Sequence, residues 1–191
     1  MNILIVGQGG REHAMAWKLS LSNKVDTVYV APGNGGTANE NKCINIDIAV
    51  NDFLALEKLV IEKEINLIVI GPEDPLVNGI KDHFQNKNVK VFGPDKAGAK
   101  LEGSKIYAKK FMFENDIPTG RAEFFSDANL AKKYINTTDF PIVLKADGLA
   151  AGKGVSICQS KEEAKIKAKE IIEGKFKSSR KVILEEFLEG E

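Results

Sequence analysis

Short runs dense in β-branched and apolar residues punctuate the first half of the chain. They are Ile3-Leu4-Ile5-Val6, Thr27-Val28-Tyr29-Val30, Leu67-Ile68-Val69-Ile70 and Val89-Lys90-Val91-Phe92, with a shorter one at 43–46. Runs of this length without strict polar alternation suit strands buried on both faces of a parallel sheet. Between them the apolar positions switch to helical spacing: Ala14, Trp17 and Leu21 within 11–21, and Phe53, Leu56, Leu59 and Val60 within 52–63. A further helix starts in 79–84. Strands alternating with helices across short joints predict a parallel sheet wound by right-handed crossovers.

The pattern changes after Gly93-Pro94. A helix is predicted from Lys105 to about Asn115, with Tyr107, Ala108, Phe111 and Met112 as its apolar face, and Ile117-Pro118-Thr119-Gly120 ends it in a hinge. Phe124-Phe125, a helix at 127–134, a hairpin at 141–158, a helix at 162–173 and a strand at 181–188 follow. The predicted architecture is α/β: a Rossmann-like parallel-sheet domain over residues 1–100, then a linker helix and a small α+β lobe over 101–191.

Composition narrows the function classes. The 27 basic and 27 acidic residues balance, which argues against a general nucleic-acid or anionic-membrane binder. No stretch approaches the roughly 18 apolar residues of a membrane span. Cys43 and Cys158 stand far apart and the histidines, His13 and His83, are scattered, so no zinc site assembles. A reduced, cytoplasmic protein is expected. His13 is expected to pack or cap beside the first glycine loop, and His83 to lie at the surface.

The chemistry concentrates in glycine-rich loops. In Lys145-Ala146-Asp147-Gly148-Leu149-Ala150-Ala151-Gly152-Lys153-Gly154-Val155, a strand enters a hairpin tip whose glycines let backbone N–H groups approach a ligand, while Lys145 and Lys153 add positive charge. That combination suits a polyphosphate. The spacing is not that of a Walker loop, because three residues rather than four separate Gly148 from Gly152-Lys153, and Gly154 stands where Ser or Thr should be. The plainer alternative is a flexible hairpin tip with solvated lysines.

Three more glycine segments, 7–10, 33–36 and 71–72, each follow a strand and therefore meet at the carboxyl edge of the sheet. A nicotinamide site fails twice: Glu12 replaces the third glycine of the fingerprint, and the second strand ends in Val30-Ala31-Pro32 with no acidic residue. A phosphomonoester fits better, facing the Gly9 and Gly10 amides, the helix start and Arg11. Glu73 and Asp74 are candidates to accept bonds from sugar hydroxyls or an amine, or else to cap the next helix.

Taken together, Gly9-Gly10-Arg11-Glu12-His13-Ala14, Pro32-Gly33-Asn34, Gly71-Pro72-Glu73-Asp74-Pro75-Leu76-Val77, Leu101-Glu102-Gly103-Ser104-Lys105, the 145–155 run and Glu185-Glu186-Phe187-Leu188 resemble, in this order, the phosphoribosylamine–glycine ligase family of the ATP-grasp superfamily. The resemblance covers the whole chain. It implies a pre-ATP-grasp domain that binds 5-phosphoribosylamine through Gly9, Gly10, Arg11, Gly33, Asn34, Glu73, Asp74 and Pro75. It also implies ATP held by Lys105, Lys145, Gly148, Gly152, Lys153 and Gly154. Glu185, Glu186, Phe187 and Leu188 would then form an adenine-reading edge strand, with Glu191 toward the ribose.

The implied reaction is ADP-forming ligation of glycine to phosphoribosylamine in purine biosynthesis, by a monomer using magnesium or manganese. Members of the family run on for more than as many residues again. Their metal and glycine ligands would lie beyond residue 191, so this chain alone is expected to be inactive. Two other readings stay open: a different ATP-grasp carboxylate–amine ligase, and a non-catalytic nucleotide- or phosphosugar-binding module.

Overall fold

In the computed structural model, which describes residues 1–150, 152–176 and 179–190, the apolar runs of the first half become parallel strands. The order along the chain is β1 (Asn2–Gly7), α1 (Gly10–Ser20), β2 (Thr27–Pro32), β3 (Cys43–Asn45), α2 (Phe53–Glu62), β4 (Ile65–Ile70), α3 (Glu73–Val77), α4 (Ile80–His83) and β5 (Lys90–Phe92). Across the sheet it is β3-β2-β1-β4-β5, with β1 central and Val6 opposite both Ala31 and Ile70. Each face has its own core. Leu4, Val6, Ile68 and Ile70 pack with Leu56, Leu59 and Val60 of α2, while Ile3, Ile5, Val28, Val30 and Val69 pack with Ala16 of α1. Asp52 starts α2 by accepting a 3.0 Å bond from the Ala55 amide.

The α1 face is not the one its spacing suggests. Trp17 and Leu21 are 49% and 59% exposed, and Ala14 is exposed too, whereas Glu12, Ala16 and Ser20 are buried. Small residues let the helix lie close to the sheet, and a buried carboxylate shares that stripe. His83 also departs from expectation. It pairs with Glu57 at 2.8 Å and sets its ring tilted against Phe53 and edge-on to Phe84.

The chain divides into two compact units, Met1–Ala99 and Lys100–Glu191. A helix absent from the sequence expectation, α5 (Lys96–Gly103), carries it from one to the other. The second unit continues with α6 (Lys105–Glu114), β6 (Ala122–Phe125), α7 (Ala128–Asn136), β7 (Ile142–Ala146), β8 (Val155–Cys158), α8 (Lys161–Ile172) and β9 (Val182–Glu186). Its sheet is antiparallel in the order β6-β9-β7-β8. Ile142, Leu144, Ala146, Val182 and Leu184 pack against Ala131 and Ile135 of α7 and Ala164, Ala168 and Ile171 of α8. Leu144 is completely buried. Leu144→Ala is expected to destabilise this unit by about 2–5 kcal/mol, measured by denaturant unfolding.

The expected edge strand is a correction. β9 pairs with β6 on one side and with β7 on the other, so it is interior, and it ends at Glu186. Phe187 and Leu188 lie beyond it and are exposed. The hydrophobic run reads the strand correctly, but periodicity carries no information about which neighbours flank it.

Candidate functional site

The first unit gathers the loops after β1, β2 and β4 at one edge, and Glu12 packs between the first and the third of them. The residue is 3% exposed, and its carboxylate accepts the Gly9 amide at 2.6 Å, closing the first turn of α1 from inside. The surrounding glycines leave room for it. A Cβ on Gly71 would lie 2.1 Å from Glu12 Oε1, and one on Gly7, where φ is +135°, would lie 2.5 Å from Glu12 Cγ. The glutamate that breaks the dinucleotide fingerprint is thus the keystone of a differently built turn.

This arrangement corrects one expectation. The Gly9 amide serves Glu12 and does not face outward, which leaves Gly10, with open space around it, and Arg11 as the groups at the mouth of the loop. Arg11 is exposed and donates through both terminal nitrogens to Glu73 Oε1, at 3.1 and 3.2 Å. Asn34 works internally. Its Oδ1 accepts from the Gly36 and Thr37 amides at 2.7 and 3.0 Å, and its Nδ2 donates to the Gln8 carbonyl at 2.9 Å, tying the second loop to the first. Gly33, at φ +74°, leaves the space that Asn45 fills. Asp74 accepts from Asn51, and Pro75 is buried in the first turns of α3. His13 pairs with Glu40 at 2.8 Å and lies against Gly36, so it belongs to the second loop and not the first.

Glu73 has its carboxyl held below the usual range, first by its own backbone amide and then by Arg11. A depressed carboxylate stabilises the fold above its unfolded pKa of about 4.3, and that contribution is lost as pH falls through the lower folded value. Both side chains are open to water, so the pair contributes only about 0.2–1 kcal/mol. Glu73→Gln is expected to cost that much above pH 5, in urea titrations, and nothing at the acid end of the transition.

In the second unit, Lys105, Lys109, Lys145 and Glu185 line one cavity of about 270 Å³, together with Met112 and Val155. Strand alternation places Lys145 and Glu185 on the face opposite the α7/α8 core, in a register that sets Val143 beside Glu185 and Lys145 beside Ile183. Lys145 Nζ donates to Glu185 Oε2 at 2.7 Å. Lys105 Nζ donates to the Gly148 carbonyl at 2.8 Å, at the root of the glycine loop. Ser104 caps α6 and also bonds the Asp147 carboxylate, which accepts the Ile106 amide at 3.2 Å. The start of α6 and the start of the loop are therefore one hydrogen-bonded piece.

The loop itself needs glycine at two turns, Gly148 at φ +82° and Gly152 at φ +76°, while Gly154 is buried against Ala150. Lys153 is exposed at its tip. Glu186 faces away from Lys145 and closes on Arg121, whose amide and guanidinium hold its carboxyl below the usual range. Glu191, expected toward the ribose, lies outside the described residues. Among the described residues there is no cluster of three or more His, Cys, Asp or Glu suited to a metal ion.

Sequence reasoning missed three residues here: Ser104 and Asp147, which join helix to loop, and Lys109. Lys109 is the one buried residue of α6, where an apolar face was expected; Tyr107, Ala108 and Met112 are only half-buried and Phe111 is exposed. It bonds Thr119 and Gly120, so the predicted hinge is a turn tied to its own helix. A lysine in helical periodicity is scored as a solvated position, so the pattern held no signal for it.

Comparison with known proteins is consistent across both units. The family described as "Phosphoribosylglycinamide synthetase, N domain" matches residues 1–102, and "Phosphoribosylglycinamide synthetase, ATP-grasp (A) domain" matches residues 103–191. The phosphoribosylamine–glycine ligase of Nostoc sp. is 47% identical over 192 residues, covering all of this chain and 45% of that protein. That of Haemophilus influenzae is 47% identical over 193 residues, with the same coverage. A crystal structure of the phosphoribosylamine–glycine ligase of Thermotoga maritima superposes with a TM-score of 0.77 at 35% identity, over all of this chain and 45% of that one. The chain thus spans a little under half the length of these relatives.

Proposed function

Because the chain belongs to the phosphoribosylglycinamide synthetase family, we propose that it supplies the phosphoribosylamine-binding domain and the first ATP-grasp lobe of an ADP-forming phosphoribosylamine–glycine ligase. The reaction joins glycine to 5-phosphoribosylamine in purine biosynthesis. ATP transfers its γ-phosphoryl group to the glycine carboxylate, releasing ADP. The amine then attacks that acyl phosphate, forming the amide and releasing phosphate.

The observation that carries this reading is the convergence of Lys105 and Lys145 on one cavity beside the glycine loop. Phosphoryl transfer gives a protein little covalent work; it demands fixed positive charge on the phosphate oxygens and exclusion of water from the acyl phosphate. The two ammonium groups supply the first. The 148–154 loop, pliable at Gly148 and Gly152, is the segment suited to close over the phosphates with Lys153 at its tip. The backbone of Phe187 and Leu188, just past the end of β9, would read the adenine edge. In the first unit, Gly10 and Arg11 would hold the phosphate of phosphoribosylamine, while Gly33, Asn34, Glu73, Asp74 and Pro75 shape the loops around it.

Magnesium or manganese, which would neutralise charge between phosphates, finds no donor cluster among the described residues. A reducing cytoplasm would keep Cys43 and Cys158 as the thiols seen here, both pushed up by burial. The test is ADP release from the full-length protein with phosphoribosylamine and glycine omitted in turn. Release that needs neither substrate, or that needs an amine other than phosphoribosylamine, would reject the reading.

A further inference from the structure

Lys109 lines the cavity but has nothing left to offer a ligand. Its ammonium carries three N–H bonds and meets three acceptors: Thr119 Oγ1 at 2.7 Å, the Gly120 carbonyl at 2.8 Å and Glu185 Oε2 at 3.5 Å. Its side chain is 8% exposed and that of Glu185 is 9% exposed. Lys145 shares the same Glu185 oxygen at 2.7 Å but is 28% exposed, so it alone of the three reaches the open side. Two ammonium groups therefore face one carboxylate, and the sheltered one is anchored to backbone and hydroxyl while the other is partly exposed and bonded to Glu185 alone.

We propose that Lys109 is a positioning residue for the nucleotide phosphates: it neutralises Glu185 from behind, so that the Lys145 ammonium can leave that carboxylate for a phosphate oxygen. The inference rests on reading the cavity as an ATP site. Without Lys109, Glu185 depends on Lys145 alone. Every move of Lys145 toward a phosphate would then strand a carboxylate away from water, which opposes binding. With Lys109 in place the cluster holds one positive charge in excess and accepts an anion without leaving any buried charge bare. The role acts on charge, so it should be felt by the polyphosphate tail and not by the base.

The test is calorimetric titration of the full-length protein with ATP, inorganic tripolyphosphate and adenosine. Lys109→Met, and Lys109→Gln, which keeps donors for Thr119 and Gly120, are expected to weaken ATP and tripolyphosphate about tenfold or more. Adenosine should bind both variants as it binds the parent. The dependence of ATP affinity on salt should become shallower, and Lys109→Arg should recover most of the ATP affinity. Neutral variants that bind ATP as tightly as the parent overturn the proposal. So do equal losses for ATP and adenosine, which would indicate a general disturbance of the lobe. If neither neutral variant folds, Lys109 is a structural residue and the proposal fails. A parent protein that takes up no ATP defeats the nucleotide reading itself, a result distinct from all of these.

Discussion

Lys145→Ala in the full-length protein is expected to slow turnover by about 10²- to 10³-fold, or roughly 2.7–4 kcal/mol of barrier, if the ammonium behaves like one fixed donor of an oxyanion hole. The reasoning starts from where the side chain sits. β7 delivers it to the face opposite the hydrophobic core, Glu185 orients it at 2.7 Å, and it reaches the cavity that Lys105 also lines. Once bound ATP has drawn the ammonium from Glu185 to a phosphate oxygen, little further reorganisation is needed as negative charge shifts between phosphate oxygens. Loss of the ammonium should fall mainly on kcat, with a smaller effect on the KM for ATP. The measurement is steady-state ADP formation at saturating substrates, with circular dichroism to show that the variant is folded. Turnover within twofold of the parent would remove Lys145 from the site.

The second large effect is structural. Gly71→Ala should destabilise the first unit by about 1–3 kcal/mol, because the new methyl group would meet the buried Glu12 carboxylate at 2.1 Å. Gly7→Ala should cost more, since φ of +135° adds backbone strain to a 2.5 Å clash with Glu12 Cγ. Glu12→Ala separates the two. It destabilises by itself, since the Gly9 amide loses its acceptor and a cavity opens. In that background Gly71→Ala should become nearly neutral, while Gly7→Ala keeps its strain. Urea unfolding of the four proteins in each double-mutant cycle measures the coupling. Additive losses for Gly71 and Glu12 would mean that the carboxylate does not occupy this space.

The central strands were the easiest part of the molecule to read, because a strand buried on both faces must be apolar along its buried stretch, as Ile3–Val6 of β1 and Leu67–Ile70 of β4 are. From that came the parallel sheet and the glycine loops at its carboxyl edge. What escaped was whatever a residue's type does not announce. Glu12 looks like a helix-surface residue until the glycines around it are seen to leave room for it. Trp17 and Leu21 keep helical spacing on the side of α1 that faces solvent. Lys109 has the sequence signature of a wet position and is buried because three specific acceptors, two from a turn and one from β9, happen to converge on it. Asp147 sits inside the most conspicuous motif of the chain, yet its work, joining the loop to the start of α6, depends on a residue 43 positions away. Local pattern records burial by hydrophobicity; it does not record burial by pairing.

The interior position of β9 bears on how the second unit comes into being. The strand synthesised after all its sheet partners is the one that lies between two of them, so until it arrives no strand bridges β6 and the β7–β8 hairpin. A nascent chain that has emerged only through residue 181 would carry a lone strand and a separate hairpin, with the backbone groups along the vacant slot still wetted. Closure spanning some sixty residues of sequence is slow compared with forming a hairpin. Folding of this lobe should therefore be a late event on the ribosome, gated by delivery of one segment, while the first unit, complete by residue 99, can settle beforehand.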